Sequence, residues 1–146
     1  MIIPFEPEHA QAIVADNLRK QEGWFATIDV TEWLKTCKDN GAGYTLMVDN
    51  CPIACAGIIF QGWHKAAAWA LLSSLFYRHK VKIHRAIKSG LDATIIENKL
   101  RRVEALIDPR FPQSIDFIEC FGFMYEGCLR KWGPNSEDFL MYARTN

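Results

Sequence analysis

The feature that most constrains the fold is a change of hydrophobic period in mid-chain. Ala66 to Leu72 is an unbroken apolar run. Ile83, Ile87, Leu91, Thr94 and Ile95 then recur every three or four residues, and Arg102 to Ile107 is again strand-like. A strand apolar on both faces sits at the centre of a sheet. The recurring spacing marks a helix of about four turns, from about Val81 to Lys99. Strand, long helix, strand is a right-handed crossover between parallel strands. It demands a sheet covered by helices and excludes an all-helical bundle or a purely antiparallel sandwich.

The flanking segments extend that sheet. Met1 to Phe5 is a short apolar strand bounded by Pro4 and Pro7, and Glu8 to Leu18 has helical spacing at Ala10, Ile13, Val14 and Leu18. Thr27-Ile28-Asp29 opens a second helix, capped by Asp29 or Thr31, with Trp33, Leu34 and Cys37 on its apolar face. Tyr44–Val48 and Ile53–Phe60 read as strands joined by a turn at Asp49-Asn50, with a further turn at Gln61-Gly62. Pro112 to Phe121 is a short helix closed by a left-handed Gly122. Phe123–Trp132 and Phe139–Arg144 are strands joined through Gly133-Pro134-Asn135. The expected class is α+β, a mixed sheet of six or seven strands flanked by about four helices. The predicted core includes Ile58, Trp69, Leu71, Ile83, Ile87, Leu91, Ile95, Val103, Ala105, Ile107, Ile118 and Phe123.

At 146 residues, one domain spanning 1–146 is expected. Seventeen basic residues balance seventeen acidic ones, so no global field favours nucleic acid. No apolar run approaches the roughly 20 residues of a membrane span, and Met1-Ile2-Ile3-Pro4 lacks the basic start of a signal peptide. Five scattered cysteines favour a reducing, cytoplasmic compartment over a disulfide framework. Cys51 and Cys55 share one strand face, but no complementary pair completes a zinc site; small buried thiols are the better reading.

The C-terminal third carries a motif. Asp116 to Gly127 runs as an apolar helix into Gly122-Phe123 and then Glu126-Gly127, and Leu140 to Arg144 forms a final strand. In this element order, the chain resembles the GNAT family of acyl-CoA N-acyltransferases. Asp108-Pro109-Arg110-Phe111-Pro112 before the helix and Arg130-Lys131-Trp132-Gly133 after the strand resemble a phage-encoded subset. Some of its members are acetyltransferases, and others, in T7-like phages, are virion-assembly proteins.

The resemblance implies an acetyl-CoA-dependent transfer to an amine acceptor. It places pantetheine on the backbone of a β-bulge around Leu71, Leu72 and Ser73. It places the pyrophosphate on the loop entering the long helix. In the family that loop is glycine-rich and offers free N–H groups at a helix N-terminus. Here Ser73 to Lys82 contains no glycine, which makes a nest of positive φ harder to build. The loop is instead basic: Arg78, His79, Lys80, Lys82, His84, Arg85 and Lys88 fall close together. Such cations oppose the helix dipole by about 0.3–1 kcal/mol each. An anion held there, whether the phosphates of CoA, nucleic acid or another protein, explains the cluster; a merely solvated helix end is the alternative.

The family also protonates the leaving thiolate with a tyrosine four residues before the glycine of Gly-Phe, where this chain has Ile118. A family asparagine eleven residues before that glycine is here Phe111. Tyr77 and Tyr125 are the nearby phenols. Candidate general bases are Glu104, Asp108 at the C-terminal end of its strand, and His64. Asp108 before proline also suits a simple turn, and Glu104 an exposed strand position. The missing glycine, tyrosine and asparagine are explained together by the competing reading, a catalytically silent domain that serves a protein partner in a phage particle or a host. That reading admits a virion location beside the cytoplasmic one.

Overall fold

The computed structural model describes residues 1–15 and 30–146. The expectations placed on Leu18 and on Thr27–Asp29 lie outside the described residues. Within them the chain forms seven strands, four α-helices and one 3-10 turn. The order is β1 (Ile2–Pro4), α1 (Pro7–Ala15), α2 (Thr31–Asp39), β2 (Gly41–Val48), β3 (Cys51–Gly62), β4 (Lys65–Leu72), the 3-10 turn (Ser74–Arg78), α3 (Lys80–Glu97), β5 (Arg102–Ile107), α4 (Pro112–Glu119), β6 (Met124–Leu129) and β7 (Phe139–Thr145). The strands make one mixed sheet in the order β1-β2-β3-β4-β5-β7-β6, so β4 is central, as its unbroken apolar run requires.

Two ladders build this sheet. β1 to β4 form an antiparallel meander, with Thr45 opposite Cys55 and Cys55 opposite Leu71. β5, β7 and β6 form a second antiparallel set, with Ala105 opposite Tyr142. The two meet where β4 runs parallel to β5, as the crossover predicts.

Side chains alternate between the two faces. On one face Ile58, Ala66, Ile95, Val103, Ala105, Ile118, Phe123 and Tyr142 pack together under α3 and α4. On the other, Phe5, Ala10, Ile13, Leu34, Cys37 and Cys55 pack α1 and α2 against the sheet, with Trp69 and Leu71 joining them. The predicted core positions Ile58, Ile83, Ile95, Val103, Ala105, Ile118 and Phe123 are buried. Ile87, Leu91, Ile107, Trp69 and Leu71 are half-buried against those clusters. Burial pushes the Cys37 thiol up to about 12 and the Cys55 thiol up to about 11. All five cysteines are free; Cys51 is exposed at the mouth of its hairpin, so only Cys55 of that pair is a buried thiol.

Asp49 and Asn50 have φ of 51° and 60°, a primed two-residue turn suited to residues that tolerate left-handed backbone. The second turn falls at Trp63-His64 (φ 52° and 58°), not at Gln61-Gly62, which belong to β3. Gly62 (φ 81°) absorbs a register shift after Phe60 and moves the turn along the chain. The left-handed backbone at two bulky residues is held by the rest of the fold. The His64 carbonyl accepts from the Arg101 N–H at 2.8 Å, and its Nδ1 lies 3.1 Å from the Lys99 carbonyl. The first residue of α2 is preceded by Val30, which makes no side-chain cap, so Thr31 does not cap that helix.

Candidate functional site

β4 and β5 pair only over Lys65–Ala67 against Arg102–Glu104; beyond that rung they diverge. Ala70 lies on the fourth of seven strands yet is exposed, because β5 has already left its side. A cavity of about 410 Å³ opens there. Ala56, Ala68 and Ala70 form part of its floor, Ile87 and Gly90 of α3 its roof, and Asp108 and Phe117 its far wall. A ligand crevice at the C-terminal ends of two parallel strands where the sheet splits is the usual site in open α/β sheets.

Asp108 reaches this cavity from the end of β5, with its side chain only 10% exposed. Burial raises its carboxyl, but Arg110 outweighs that. The guanidinium Nε and the backbone N–H of Arg110 each donate to Oδ1 at 3.0 Å and hold the group below the usual carboxylate range. Asp108 is therefore an ionised, weakly basic carboxylate at neutral pH.

Glu104 lies at the other end of the same strand, about 13 Å away at strand rise. Its Oε1 takes Arg102 Nε at 2.9 Å and lies 3.6 Å from Lys65 Nζ. Arg102 also forks onto Glu126 at 3.0 and 2.6 Å. Glu104 thus sits in a charge network beside the closed rung and does not line the cavity. His64 is tied to the α3–β5 connection at that same end. Tyr125 is on the edge strand β6, 56% exposed and edge-on to Tyr142 at 5.7 Å, and it too lies outside the cavity lining.

The segment Leu71–Ser73 carries no bulge. The β3–β4 register runs without a shift from Leu72 to Ala66, because strand irregularity is taken up at Gly62 instead. Leu72 lines the cavity, Leu71 packs on the opposite face, and the Ser73 N–H donates to the Ile53 carbonyl at 3.0 Å. The Ser73 hydroxyl accepts from the Leu75 N–H at 3.1 Å and caps the 3-10 turn. No residue from 73 to 82 has positive φ. The glycine-free loop therefore winds into a 3-10 turn rather than a nest.

Above that turn Arg78, Lys80 and Lys82 are exposed and His79 is half-buried, and none of them pairs with a carboxylate among the described residues. The first turn of α3 contains no acid. Others of the basic group are engaged elsewhere: His84 stacks on Phe121 at 4.8 Å, and Lys88 pairs with Asp92 at 2.8 Å. The stack belongs to an aromatic ladder, Phe76 to Phe117 at 5.7 Å and Phe117 to Phe121 at 5.0 Å, that bridges the 3-10 turn, α4 and α3. Sequence reading missed this ladder; its signal was the pair Phe117 and Phe121, one helical turn apart. Ile118 lines the cavity, so a hydrocarbon side chain stands where a proton donor was sought.

Among the described residues no group of three or more His, Cys, Asp or Glu side chains is arranged to hold a metal ion. No described helix is long and apolar enough to cross a membrane.

No family model matches the chain, and no curated protein matches it by sequence. Solved structures do match. A ribosomal-protein-S5-alanine acetyltransferase from Vibrio fischeri superposes with a TM-score of 0.70 at 18% identity, covering 99% of this chain and 92% of that one. A point mutant of the spermidine N-acetyltransferase SpeG from Vibrio cholerae gives 0.73 at 14%, covering 99% and 94%. Mycobacterium smegmatis RimJ in complex with CoA-disulfide gives 0.73 at 20%, covering 99% and 80%. Superposed over almost its whole length on these acetyltransferases, with its mixed seven-stranded sheet and four helices, the chain has the fold of the GNAT N-acyltransferases.

Proposed function

We propose that the protein is an N-acyltransferase that moves an acyl group from acyl-CoA to an amine. The observation that carries this reading is the cavity between the parted strands, roofed by a helix at whose entrance Arg78, Lys80 and Lys82 stand without acidic partners among the described residues. Free cations beside helix N–H groups suit the CoA phosphates, and the structural neighbours include a CoA complex and acetyltransferases acting on spermidine and on a ribosomal protein's alanine. The single domain 1–146 and a reducing, cytoplasmic setting belong to the same proposal.

Direct transfer needs little covalent chemistry from the protein. The amine lone pair attacks the thioester carbonyl carbon, a C–N bond forms and the C–S bond breaks. The thiolate leaves with the electron pair, and the nitrogen loses a proton. In this reading the acceptor arrives as its ammonium form, loses one proton to expose the lone pair and a second after attack, and is attracted and oriented by Asp108. Held low by Arg110, that carboxylate passes a proton on to water rather than keeping it. Ile118 cannot protonate the thiolate, so that proton comes from solvent or from a phenol moved in from outside the cavity lining, Tyr77 or Tyr125. Leu72, Ser73 and His79 are the remaining cofactor contacts proposed, with Leu71 behind them. Glu104 would serve as a base only if its charge network opened.

The 3-10 turn and Ile118 are also the observations that favour a catalytically silent domain with a protein partner, in a phage particle or a host. Isothermal titration with acetyl-CoA decides between the two. Transferases work with KM values of about 1 μM to 1 mM. Binding in that range, lost when Arg78, Lys80 and Lys82 are changed together to Glu, supports the transferase. No binding at millimolar acetyl-CoA removes it.

A further inference from the structure

The cavity is wider than the gap between the parted strands. Besides Ala105 of β5 and Asp108 just beyond its end, it is lined by Tyr44 on β2 and by Ala54 and Ala56 on β3. Adjacent strands lie about 4.8 Å apart, so this lateral arm reaches about 10 Å sideways from β4, beneath α3. A ligand running along the β5-facing edge of β4 cannot fill it.

The arm exists because the residues on its floor and roof are small. The α3-facing positions Ala54, Ala56, Ala68 and Ala70 are alanines, where a sheet packed on a helix ordinarily carries Val, Ile or Leu. Above them, a Cβ added at Gly90 would meet only Tyr44 Cδ2, at 3.9 Å. The arm's polar side chains are few: Tyr44 and Ser89 at its exposed rim, and two threonines already engaged. The Thr94 hydroxyl donates to the Gly90 carbonyl at 2.7 Å, and the Thr45 hydroxyl lies 2.9 Å from His9 Nδ1 on the other side of the sheet. The polar groups Asp108 and Ser114 lie at the β5 and α4 end. An apolar lining of this kind takes up hydrocarbon by burial; an enclosed cavity of about 150 Å³ is already enough for benzene.

Resting on the transferase reading, we infer that the donor is a medium-chain acyl-CoA, its hydrocarbon tail lying under α3 in the arm bounded by Tyr44, Ala56 and Gly90. An acetyl group would leave that arm empty. The chain is held by burial alone, so affinity rises with length until the arm is full.

Isothermal titration with CoA, acetyl-CoA, hexanoyl-CoA and octanoyl-CoA tests this. Burial of one methylene contributes about 0.8 kcal/mol, so each should tighten binding about fourfold over the lengths that fit. Ala56→Leu, which fills the arm away from the parted edge, should abolish the gain with chain length, read as the ratio of octanoyl-CoA to acetyl-CoA affinity within that variant. If Ala56→Leu fails to fold, Ala56→Val narrows the same space and is read the same way. Equal affinity for acetyl-CoA and octanoyl-CoA overturns the inference and leaves the transferase standing. Chain-length dependence that persists in the filled variant also overturns it, since the tail then lies elsewhere. Failure of every CoA species to bind removes both.

Discussion

The two ends of the β4–β5 pair are built from the same strands and differ in almost every other respect. At the closed end, Lys65–Ala67 and Arg102–Glu104 are in register, Ala66 and Val103 are fully buried, and Glu104, Arg102, Glu126 and Lys65 form one charge network. At the open end, Ala70 is exposed, Asp108 has turned to its own neighbour Arg110, and the space between the strands is apolar. The parting of the strands thus shares one pair between two tasks. The closed end fixes the two ladders against each other, and the open end leaves backbone and volume for a ligand.

The largest expected effect compares one substitution at two positions on one face of β4. Ala66→Leu overpacks the closed end and should cost about 1–3 kcal/mol. Ala70→Leu projects into open space and should stay within about 0.5 kcal/mol of the parent, while weakening acetyl-CoA binding. Urea unfolding at constant m-value reads the first difference. Equal losses at both positions would mean that the open end is packed like the closed one.

Next in size is the charge network. The Arg102 guanidinium holds the Glu126 carboxyl below its ordinary 4.5. A carboxylate lowered in the folded state stabilises it above its unfolded pKa, and that contribution is lost as pH falls through the lowered folded value. Arg102→Ala should therefore flatten the stability profile below about pH 4.5 relative to the parent and leave the shape above pH 6 alone. Thermal melts across pH 3 to 7 read this; parallel profiles would show that the network contributes nothing to holding the closed end.

The smallest effect carries an opposed pair of signs. Lys80→Glu removes a cation from the first turn of α3 and complements its dipole, so stability should rise by about 0.3–1 kcal/mol. In the same variant acetyl-CoA binding should weaken. A loss of both would assign Lys80 to packing rather than to an anion site.

Much of the fold was legible because it rests on local periodicity. Ile83, Ile87, Leu91 and Ile95 marked α3, and Arg102–Ile107 was read to the residue. The turn at Trp63-His64 was not, because left-handed backbone at a tryptophan contradicts residue preference and the bonds that tie its neighbour His64 to Lys99 and Arg101 are distant in sequence. The site was legible where chemistry follows from sequence neighbours. Asp108 at a strand end lines the cavity, and the lone cations of the α3 entrance are where the loop put them. Arg102 and Glu104, two apart on a strand, share a face and were readable as a pair. Glu126 joins them from another strand, which no local pattern announces. Ala70 shows the limit best. An alanine in an apolar run reads as buried, and only the departure of β5 exposes it.

The narrow rung between the ladders has a consequence for how this protein can be taken apart. Residues 2–72 close one complete antiparallel ladder and residues 102–145 another. α3 spans the join, packed on both and fastened to β7 by Asp92 and Arg144 at 2.9 Å. The chain between the end of α3 and β5 is exposed at Asn98 and Lys99, with left-handed backbone at Lys99. A cut there separates a fragment holding the cavity floor and the lone cations from a fragment holding Asp108 and α4. Neither piece contains the whole cavity, and their reunion restores it. Ligand binding would then report fragment complementation, and the molecule is by construction a candidate split reporter.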